Sequence, residues 1–205
     1  MNVIKKVALT SAVTLLGIGL TACSNSTNSS SHPSAKTSKT HTNDKRVSQD
    51  KEFRNKFDKI KVGDLMNKGE GGSTVAQVKS LLGTPTSSSS TKTNGIKTKS
   101  LVWIKGGSTI TVATVDNNTV SKQITGFKFA SRPEKLTLKA FDSIKDGSSY
   151  ESVIQKYGEP DGLDESLIMG SKHTIATWVT GVKGDGAVLD FTNNKLTTKT
   201  QTNLK

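Results

Sequence analysis

The chain repeats itself, and this duplication restricts the possible folds more than any other feature of its 205 residues. Residues 72–85 (GSTVAQVKSLLGTP) align with residues 147–160 (GSSYESVIQKYGEP) at an offset of 75 positions, and Trp103 and Trp178 keep the same offset. A repeat of this kind indicates two copies of one supersecondary unit that bury their apolar faces together. The fold must therefore accommodate the same unit twice.

Weaker matches on both sides support the duplication. Upstream, residues 57–63 (FDKIKVG) match residues 141–147 (FDSIKDG), and the larger offset there predicts a longer loop, residues 64–71, in the first copy. Downstream, residues 116–118 (DNN) match residues 192–194 (TNN). The four landmarks occur in the same order in both copies, which predicts two units. Their boundaries are residues 52–130 and 131–205.

Each unit begins with two short predicted helices. The first helix carries a phenylalanine and an isoleucine spaced i, i+3, which places them on one face. The second helix starts at a side chain that can accept a backbone hydrogen bond, Thr74 or Ser149. It is predicted to end at Gly83 or Gly158 in the left-handed αL conformation, because a proline two residues later prevents further helix.

Antiparallel strands follow the helices in each unit. The predicted strands are residues 100–105, 109–115 and 120–129 in the first unit and residues 173–180, 187–192 and 195–200 in the second. The asparagine-rich segments between them are predicted hairpin turns, because asparagine tolerates a positive φ. Each unit is thus a pair of helices followed by three or more strands, and the predicted fold class is α+β.

This order of elements, present twice, resembles the beta-lactamase-inhibitory-protein (BLIP-like) fold, in which a helix–loop–helix packs on an antiparallel sheet. The shared stretch G-x-[ST]-x-x-x-V-x-x-x-[LY]-G-x-P also resembles small outer-membrane assembly lipoproteins of the SmpA/OmlA type. Some BLIP-like proteins inhibit class A beta-lactamases by laying a concave sheet and an inserted loop over the enzyme. The resemblance covers about residues 52–205 and implies a tandem BLIP-like domain that binds proteins.

The amino terminus predicts export and lipid attachment. Lys5 and Lys6 precede an apolar run at residues 7–20, which as a helix would span about 21 Å, short of the roughly 30 Å hydrocarbon core of a bilayer. It ends in Leu-Thr-Ala-Cys, which resembles the lipobox of bacterial lipoproteins. The resemblance implies cleavage between Ala22 and Cys23, after a signal peptide of residues 1–22, and a diacylglyceryl group on Cys23. Two acyl chains anchor a protein stably.

Residues 23–51 connect this anchor to the repeats. They are rich in Ser, Thr, Asn and Lys and nearly free of large apolar side chains, so they are predicted to form a flexible tether. The net charge of the chain is +12, and its positive residues are concentrated in the tether and the first unit. We therefore expect this membrane-proximal half to face anionic lipids or wall polymers. The export signal argues against a nucleic-acid partner.

Few residues are suited to catalysis. Cys23 is the only cysteine, and His173 is the only histidine in the repeats; no nucleophile motif accompanies it. The acidic segment GEPDGLDE, with Glu159, Asp161, Asp164 and Glu165, is expected to be a solvated loop, with weak calcium binding as the alternative. The sequence therefore predicts no catalytic residue, cofactor or metal. Trp103 and Trp178 are candidate binding residues; packing between helix and sheet is the alternative for both.

Together these features predict a lipid-anchored lipoprotein on the extracytoplasmic face of the cell membrane. Its predicted role is a non-catalytic module that binds an extracytoplasmic protein or an anionic envelope polymer. The alternative is inhibition of a secreted enzyme, such as a beta-lactamase or a protease. The sequence predicts neither the identity of the partner nor the oligomeric state.

Overall fold

Eight antiparallel strands form one sheet, in which the strands are ordered as they occur in the chain. The computed structural model describes residues 51–93, 95–129, 132–181 and 184–205. Each predicted unit contributes four strands, so the two units share one continuous sheet. The strands are β1 (Ser87–Thr93), β2 (Ile96–Lys105), β3 (Ser108–Val115), β4 (Asn118–Thr125), β5 (Gly162–Ile168), β6 (Ser171–Val179), β7 (Gly186–Thr192) and β8 (Lys195–Thr202).

The second helix of each unit begins where the sequence predicts. The helices are α1 (residues 51–58), a 3₁₀ turn (Leu65–Asn67), α2 (Val75–Leu82), α3 (Leu138–Ser143) and α4 (Tyr150–Tyr157). The hydroxyl of Thr74 accepts a hydrogen bond from the Gln77 amide, and the Gln77 side chain accepts one from the Thr74 amide. Ser149 caps α4 by accepting from the Ser152 amide. Both predicted N-caps are therefore confirmed.

The helix ends differ in one detail from the prediction. Gly83 has φ 85° and ψ −162°, and Gly158 has φ 78° and ψ 171°. The positive φ is as expected, but the ψ values lie far from the αL region. This combination is accessible essentially only to glycine. The prediction of an αL cap was wrong because the chain leaves each helix fully extended in order to enter the sheet.

The core lies between the four helices and one face of the sheet. Phe57, Val78, Phe141 and Val153 from the helices pack against alternate strand residues in a single apolar cluster. Trp103 and Trp178 belong to this cluster. The same faces of both units are buried, which is the outcome that a duplicated unit requires.

Two matched turns connect the last strands of each unit. Asp116 and Asn117 have φ values of 46° and 73°, and Asn193 and Asn194 have 47° and 67°. Two consecutive positive φ values between antiparallel strands define a type I′ turn. The turns therefore correspond at an offset of 77, one more than the sequence alignment of residues 116–118 with 192–194 implied.

Two strands were missed and one was predicted too long. β1 has the sequence SSSSTKT, in which no apolar residue marks a buried face. β5 includes Asp164 and Glu165, so the prediction of a solvated acidic loop was wrong for these residues. β4 ends at Thr125 rather than at residue 129, because Gly126 turns the chain with a φ of 74°.

The two units meet where β4 pairs with β5. Residues 121–124 of β4 lie opposite residues 163–166 of β5, a shorter pairing than within either unit. The predicted boundary at residues 130 and 131 lies outside the described residues, as do residues 1–50 with the predicted signal peptide and Cys23. Lys51, assigned to the tether, is already helical. Within the described residues, no helix has the length and apolar character to cross a bilayer.

Candidate functional site

The sheet has one face covered by helices and one open face. Strand register places Leu101, Ile110 and Trp178 toward the helices, and these residues are buried. The residues that alternate with these along each strand form the open face, since neighbouring residues of a strand point to opposite sides. Their exposed large apolar members are Ile96, Ile104, Ile168, Ile175 and Val179. The open face is therefore a regular sheet surface with apolar side chains exposed to solvent.

Charge is divided between the two faces of the inner strands. In the inner strands β2–β7, every lysine lies on the helix face; these are Lys97, Lys99, Lys105, Lys122 and Lys172. The open-face positions of these strands hold serine, threonine and aliphatic residues with two carboxylates, Asp164 and Asp190. The open-face positions of these six strands are therefore uncharged except for the two carboxylates and the imidazole of His173. On the neighbouring β8, the register places Lys195 on the same face, opposite Thr192.

Both carboxylates on the open face are partly buried. Gln123 Nε2 donates a hydrogen bond to Asp164 Oδ2 over 3.2 Å. Burial raises the pKa of Asp164, although the Gln123 hydrogen bond opposes this effect. Burial also raises the pKa of Asp190, whose Oδ1 is enclosed and has no hydrogen-bond partner among the described residues. These two groups are the chemically distinctive part of the open face.

The helix face has a charged cleft at the junction of the units. Its volume is about 530 Å³, and α1, β4, β5 and the start of α4 line it. Lys122 and Glu165 lie opposite each other in the register and form an ion pair of 2.9 Å, with side-chain exposures of 5% and 12%. Lys172 pairs with the other oxygen of Glu165. Lys122 also donates to the Phe57 carbonyl oxygen over 3.2 Å.

In this ion pair, burial acts in opposite directions on the pKa values of Glu165 and Lys122. Burial tends to raise the pKa of Glu165, but the charges and hydrogen bonds of Lys122 and Lys172 together hold it below 4.5. Burial lowers the pKa of Lys122, and the carboxylates of Glu165 and Asp58 do not compensate fully. Two cations therefore stabilise one buried carboxylate, which makes Glu165 the electrostatic centre of the junction.

Arg54 connects the units at the other side of the cleft. Its side chain is 6% exposed and pairs with Asp58 and with Glu159, each over 3.1 Å. It also donates to the Pro160 carbonyl oxygen over 3.0 Å. The cleft's buried cations, Arg54 and Lys122, are thus already paired with anions of this chain. We assign the cleft a structural role in joining the units.

A third connection is made by the longer loop of the first unit. Asp64 accepts hydrogen bonds from the Met66 amide (2.8 Å), the Met169 amide (3.1 Å) and the Gly170 amide (2.6 Å). Met169 and Gly170 form the turn between β5 and β6. One carboxylate therefore caps the 3₁₀ turn of its own loop and holds a hairpin of the second unit.

The predicted binding tryptophans do not reach either surface. Trp103 is 3% exposed and Trp178 is fully buried. Each indole Nε1 donates over 3.0 Å to the glycine carbonyl oxygen at the end of the preceding helix. Assigning them as binding residues does not fit these positions, because a ligand would have no ring face to contact. Packing between helix and sheet, the alternative, describes them.

The predicted acidic site is dispersed. Asp161 pairs with Arg132 over 2.6 Å, whereas Asp164 and Glu165 point to opposite faces of β5. The described residues contain no group of three histidine, cysteine or acidic side chains placed to hold a metal ion. His173 lies on the open face, half-buried and opposite Ser166. The calcium alternative therefore has no support in the geometry.

Sequence reasoning missed the residues that join the units. Arg54, Asp64 and Glu165 act on partners more than 40 residues away, which no local pattern reveals. Lys122 and Lys199 had a usable signal, because they are separated by the same 77 positions as the matched turns. Lys199 donates over 2.7 Å to the carbonyl oxygen of Phe141, just as Lys122 donates to that of Phe57.

Comparison with known proteins agrees with this architecture. A crystal structure from Streptococcus mutans, described as a "putative beta-lactamase inhibitor protein", is 32% identical to this chain with a TM-score of 0.65. The match covers 75% of this chain and 97% of the streptococcal one, so the fold is BLIP-like. No curated protein matches. A family model described as a domain of unknown function with a solved structure (DUF3862) matches residues 49–204. Because this match extends over most of its length, the chain belongs to the DUF3862 family.

Proposed function

We propose that this protein is a non-catalytic binding module, held outside the cytoplasmic membrane by a lipid on Cys23, whose open face contacts a protein partner. The observation that carries the proposal is the open face itself. Six inner strands present aliphatic, serine and threonine side chains there, with Ile104, Ile175 and Val179 between 43% and 59% exposed. Exposed apolar side chains grouped on one surface and rimmed by polar residues are characteristic of a protein-binding site.

The absence of lysine from the open-face positions of β2–β7 supports the same assignment. Lysine is depleted in the cores of protein interfaces, because its long, strongly hydrated side chain is costly to immobilise and desolvate. The strands do contain lysines, but the register directs them to the helix face. Composition alone therefore does not explain their absence from the open face.

Site-specific photo-crosslinking in the native cell tests the proposal. A photoreactive residue replaces Thr111 on the open face in one variant and Ala76 on the exposed side of α2 in the matched control. We expect Thr111 to capture one defined protein and Ala76 to capture it at a much lower yield. Equal capture from both positions would contradict the assignment of the open face.

The lipid anchor has its own test. Cys23→Ala should leave the precursor uncleaved or release the protein into the medium, because the acceptor of the diacylglyceryl group is lost. The measurement is fractionation with mass determination of the amino terminus, and Ser24→Ala is the matched control. Processed Cys23→Ala protein in the membrane fraction would refute the anchor.

The basic first half is proposed to approach an anionic surface. Anionic lipids or phosphate-bearing wall polymers attract nearby lysines by about 1 kcal/mol each at short range. Binding to anionic but not neutral vesicles should decrease as the salt concentration rises, since the Debye length shortens. Binding that does not respond to salt would leave these lysines a role in solubility only.

A second candidate function is inhibition of a secreted enzyme. The similarity to the streptococcal protein described as a "putative beta-lactamase inhibitor protein" favours this candidate. Its test is the activity of class A beta-lactamases and of secreted proteases with the purified chain at micromolar concentration. Inhibition that disappears when Thr111 is replaced by arginine, but not when Ala76 is, would place the inhibitory contact on the open face.

A further inference from the structure

The two carboxylates of the open face lie in one row of the sheet. Asp164 on β5 is opposite Ile175 on β6, and Ile175 is opposite Asp190 on β7. Adjacent strands are about 4.8 Å apart, so the backbones that carry the carboxylates are separated by about 10 Å. The side chain of Ile175, which is 43% exposed, stands between them. An apolar contact is thus flanked on both sides by an anion.

Neither carboxylate forms an ion pair among the described residues, although Lys195 of β8 lies on the same face, opposite Thr192. Asp164 accepts from the neutral amide of Gln123. Asp190 leaves Oδ1 enclosed without a hydrogen-bond donor in the described part of the chain. Buried polar atoms are nearly always hydrogen-bonded in folded proteins, and a partly desolvated carboxylate without a cation is costly. Glu165, by contrast, faces two lysines on the other side of the same sheet.

We propose that this row is a recognition site for a polypeptide segment whose arginine or lysine side chains pair with Asp164 and Asp190 while their aliphatic stems cover Ile175. Long basic side chains suit this arrangement, because their methylene groups pack on apolar surface while the charged end remains at its partner. The inference rests on the proposed function and specifies the chemistry of the partner.

The distribution of charge on the strands favours a basic partner over an acidic one. An acidic protein would be attracted to the lysines, and the lysines of β2–β7 lie on the helix face, so that Lys195 at the start of β8 is the lysine that the strands place on the open face. On the open face it would meet two carboxylates of its own sign. Recognition of a basic segment is therefore local to this row, and it opposes the overall charge of +12.

Methyl NMR of the full-length chain in nanodiscs of neutral lipid tests the site. The probe is a pentapeptide, acetyl-Thr-Leu-Arg-Leu-Thr-amide, compared with the same peptide carrying citrulline, which is nearly isosteric with arginine and uncharged. The Ile175 methyl group reports on the row, and Ile110 and Ile124 in the core serve as internal controls. We expect a saturable shift of Ile175 and an affinity about tenfold higher for the arginine peptide, as for a charge-assisted hydrogen bond.

Two double variants complete the experiment. Asp164→Asn with Asp190→Asn should make the two peptides bind with equal affinity, because the anions are lost without a change in shape. Asp142→Asn with Asp146→Asn, which makes the same change of charge near α3, should preserve the preference. Equal binding of both peptides to the unaltered chain, or no shift of Ile175, would overturn the inference. So would a shift of Ile175 that depends on protein concentration alone, since the occupant would then be a second copy of this chain.

The crosslinking experiment separates this inference from the proposed function. If Thr111 captures a partner while the two peptides bind equally, the proposed binding function is supported and the inference of a basic partner is refuted. If Thr111 captures no more than Ala76, the proposed function fails, and the recognition site fails with it.

Discussion

The indole Nε1 of Trp178 lies 3.0 Å from the carbonyl oxygen of Gly158 and donates a hydrogen bond to it. Trp103 makes the same bond, of the same length, to Gly83. In each unit, therefore, one tryptophan of the sheet satisfies the carbonyl group at the end of the helix that packs above it. The tryptophan therefore has the same role in both copies, at the same distance along the chain from the end of its helix.

Replacing Trp178 should test this bond and the packing around it. Trp178→Phe removes the donor and leaves the Gly158 carbonyl oxygen unsatisfied, which we expect to cost about 1–3 kcal/mol. Trp178→Ala also removes the ring and should cost about 3–5 kcal/mol. Urea unfolding measures both. Ile104→Ala, at an exposed position of the first unit, is the control and should change stability little. Equal stability of the Phe variant and the natural chain would remove the role of the hydrogen bond.

The ion pair of Lys122 and Glu165 should behave as a buried pair. Glu165→Leu leaves Lys122 buried without its anion and should cost about 3–5 kcal/mol, whereas combining it with Lys122→Met should restore much of this loss. Lys68 and Asp116, an exposed pair, are the control, and Lys68→Met should cost at most about 1 kcal/mol. Additive losses in the double variant would show that the two groups do not stabilise each other.

The same pair predicts a pH dependence. The pKa of Glu165 is lowered, so its contribution to the free energy of unfolding is present above 4.5 and is lost as the pH falls through the folded-state value. Between pH 5 and pH 3, the chain with Glu165→Leu should therefore lose less stability than the natural chain. Parallel curves in chemical unfolding over this range would contradict the prediction.

Asp64 should hold the β5–β6 turn against local opening. Hydrogen bonds from the Gly170 and Met66 amides lower the pKa of Asp64. The Asp64 carboxylate therefore stays ionised and keeps accepting these bonds as the pH falls below 3.8, until it is protonated. Asp64→Ala should reduce the hydrogen-exchange protection of Gly170 and Met169 and leave the Ile124 amide in β4 unchanged. Asp146→Asn is the control. Unchanged protection of Gly170 would show that pairing within the hairpin suffices to hold the turn.

The sequence predicted features that depend on a local conformational requirement. Thr74 and Ser149 were recognisable because a helix start needs a side-chain acceptor. Gly83 was recognisable because a glycine at a helix end, with a proline two residues later, indicates a residue with positive φ. The conformation of Gly83 was not predictable in full. Its ψ depends on the direction of the strand that follows, which is set by tertiary packing.

The two strands that were not predicted differ in the reason. β1 has no apolar pattern, and β5 has one that is interrupted by acidic residues. β1 is a fully exposed edge strand, so selection for buried side chains leaves no trace in its sequence. β5 does alternate, with Leu163, Glu165 and Leu167 on the helix face, but its acidic residues suggested a loop. The open-face site depends on the relation of Asp164 to Asp190, which is determined only when β6 separates them in the sheet.

The two units should unfold as one. They share a continuous sheet, Arg54 and Asp64 each bond to the other unit, and Lys122 needs the Glu165 carboxylate across the junction. A chain of residues 132–205 alone would expose the edge of β5, including Leu163, and would leave Glu165 without Lys122. A unit of roughly 75 residues also buries only a modest fraction of its surface. We therefore expect a single urea transition, detected at the same midpoint by tryptophan fluorescence and by circular dichroism, for the natural chain. Residues 132–205 alone should show no cooperative transition, and a stable, cooperatively folded fragment of this length would refute the coupling.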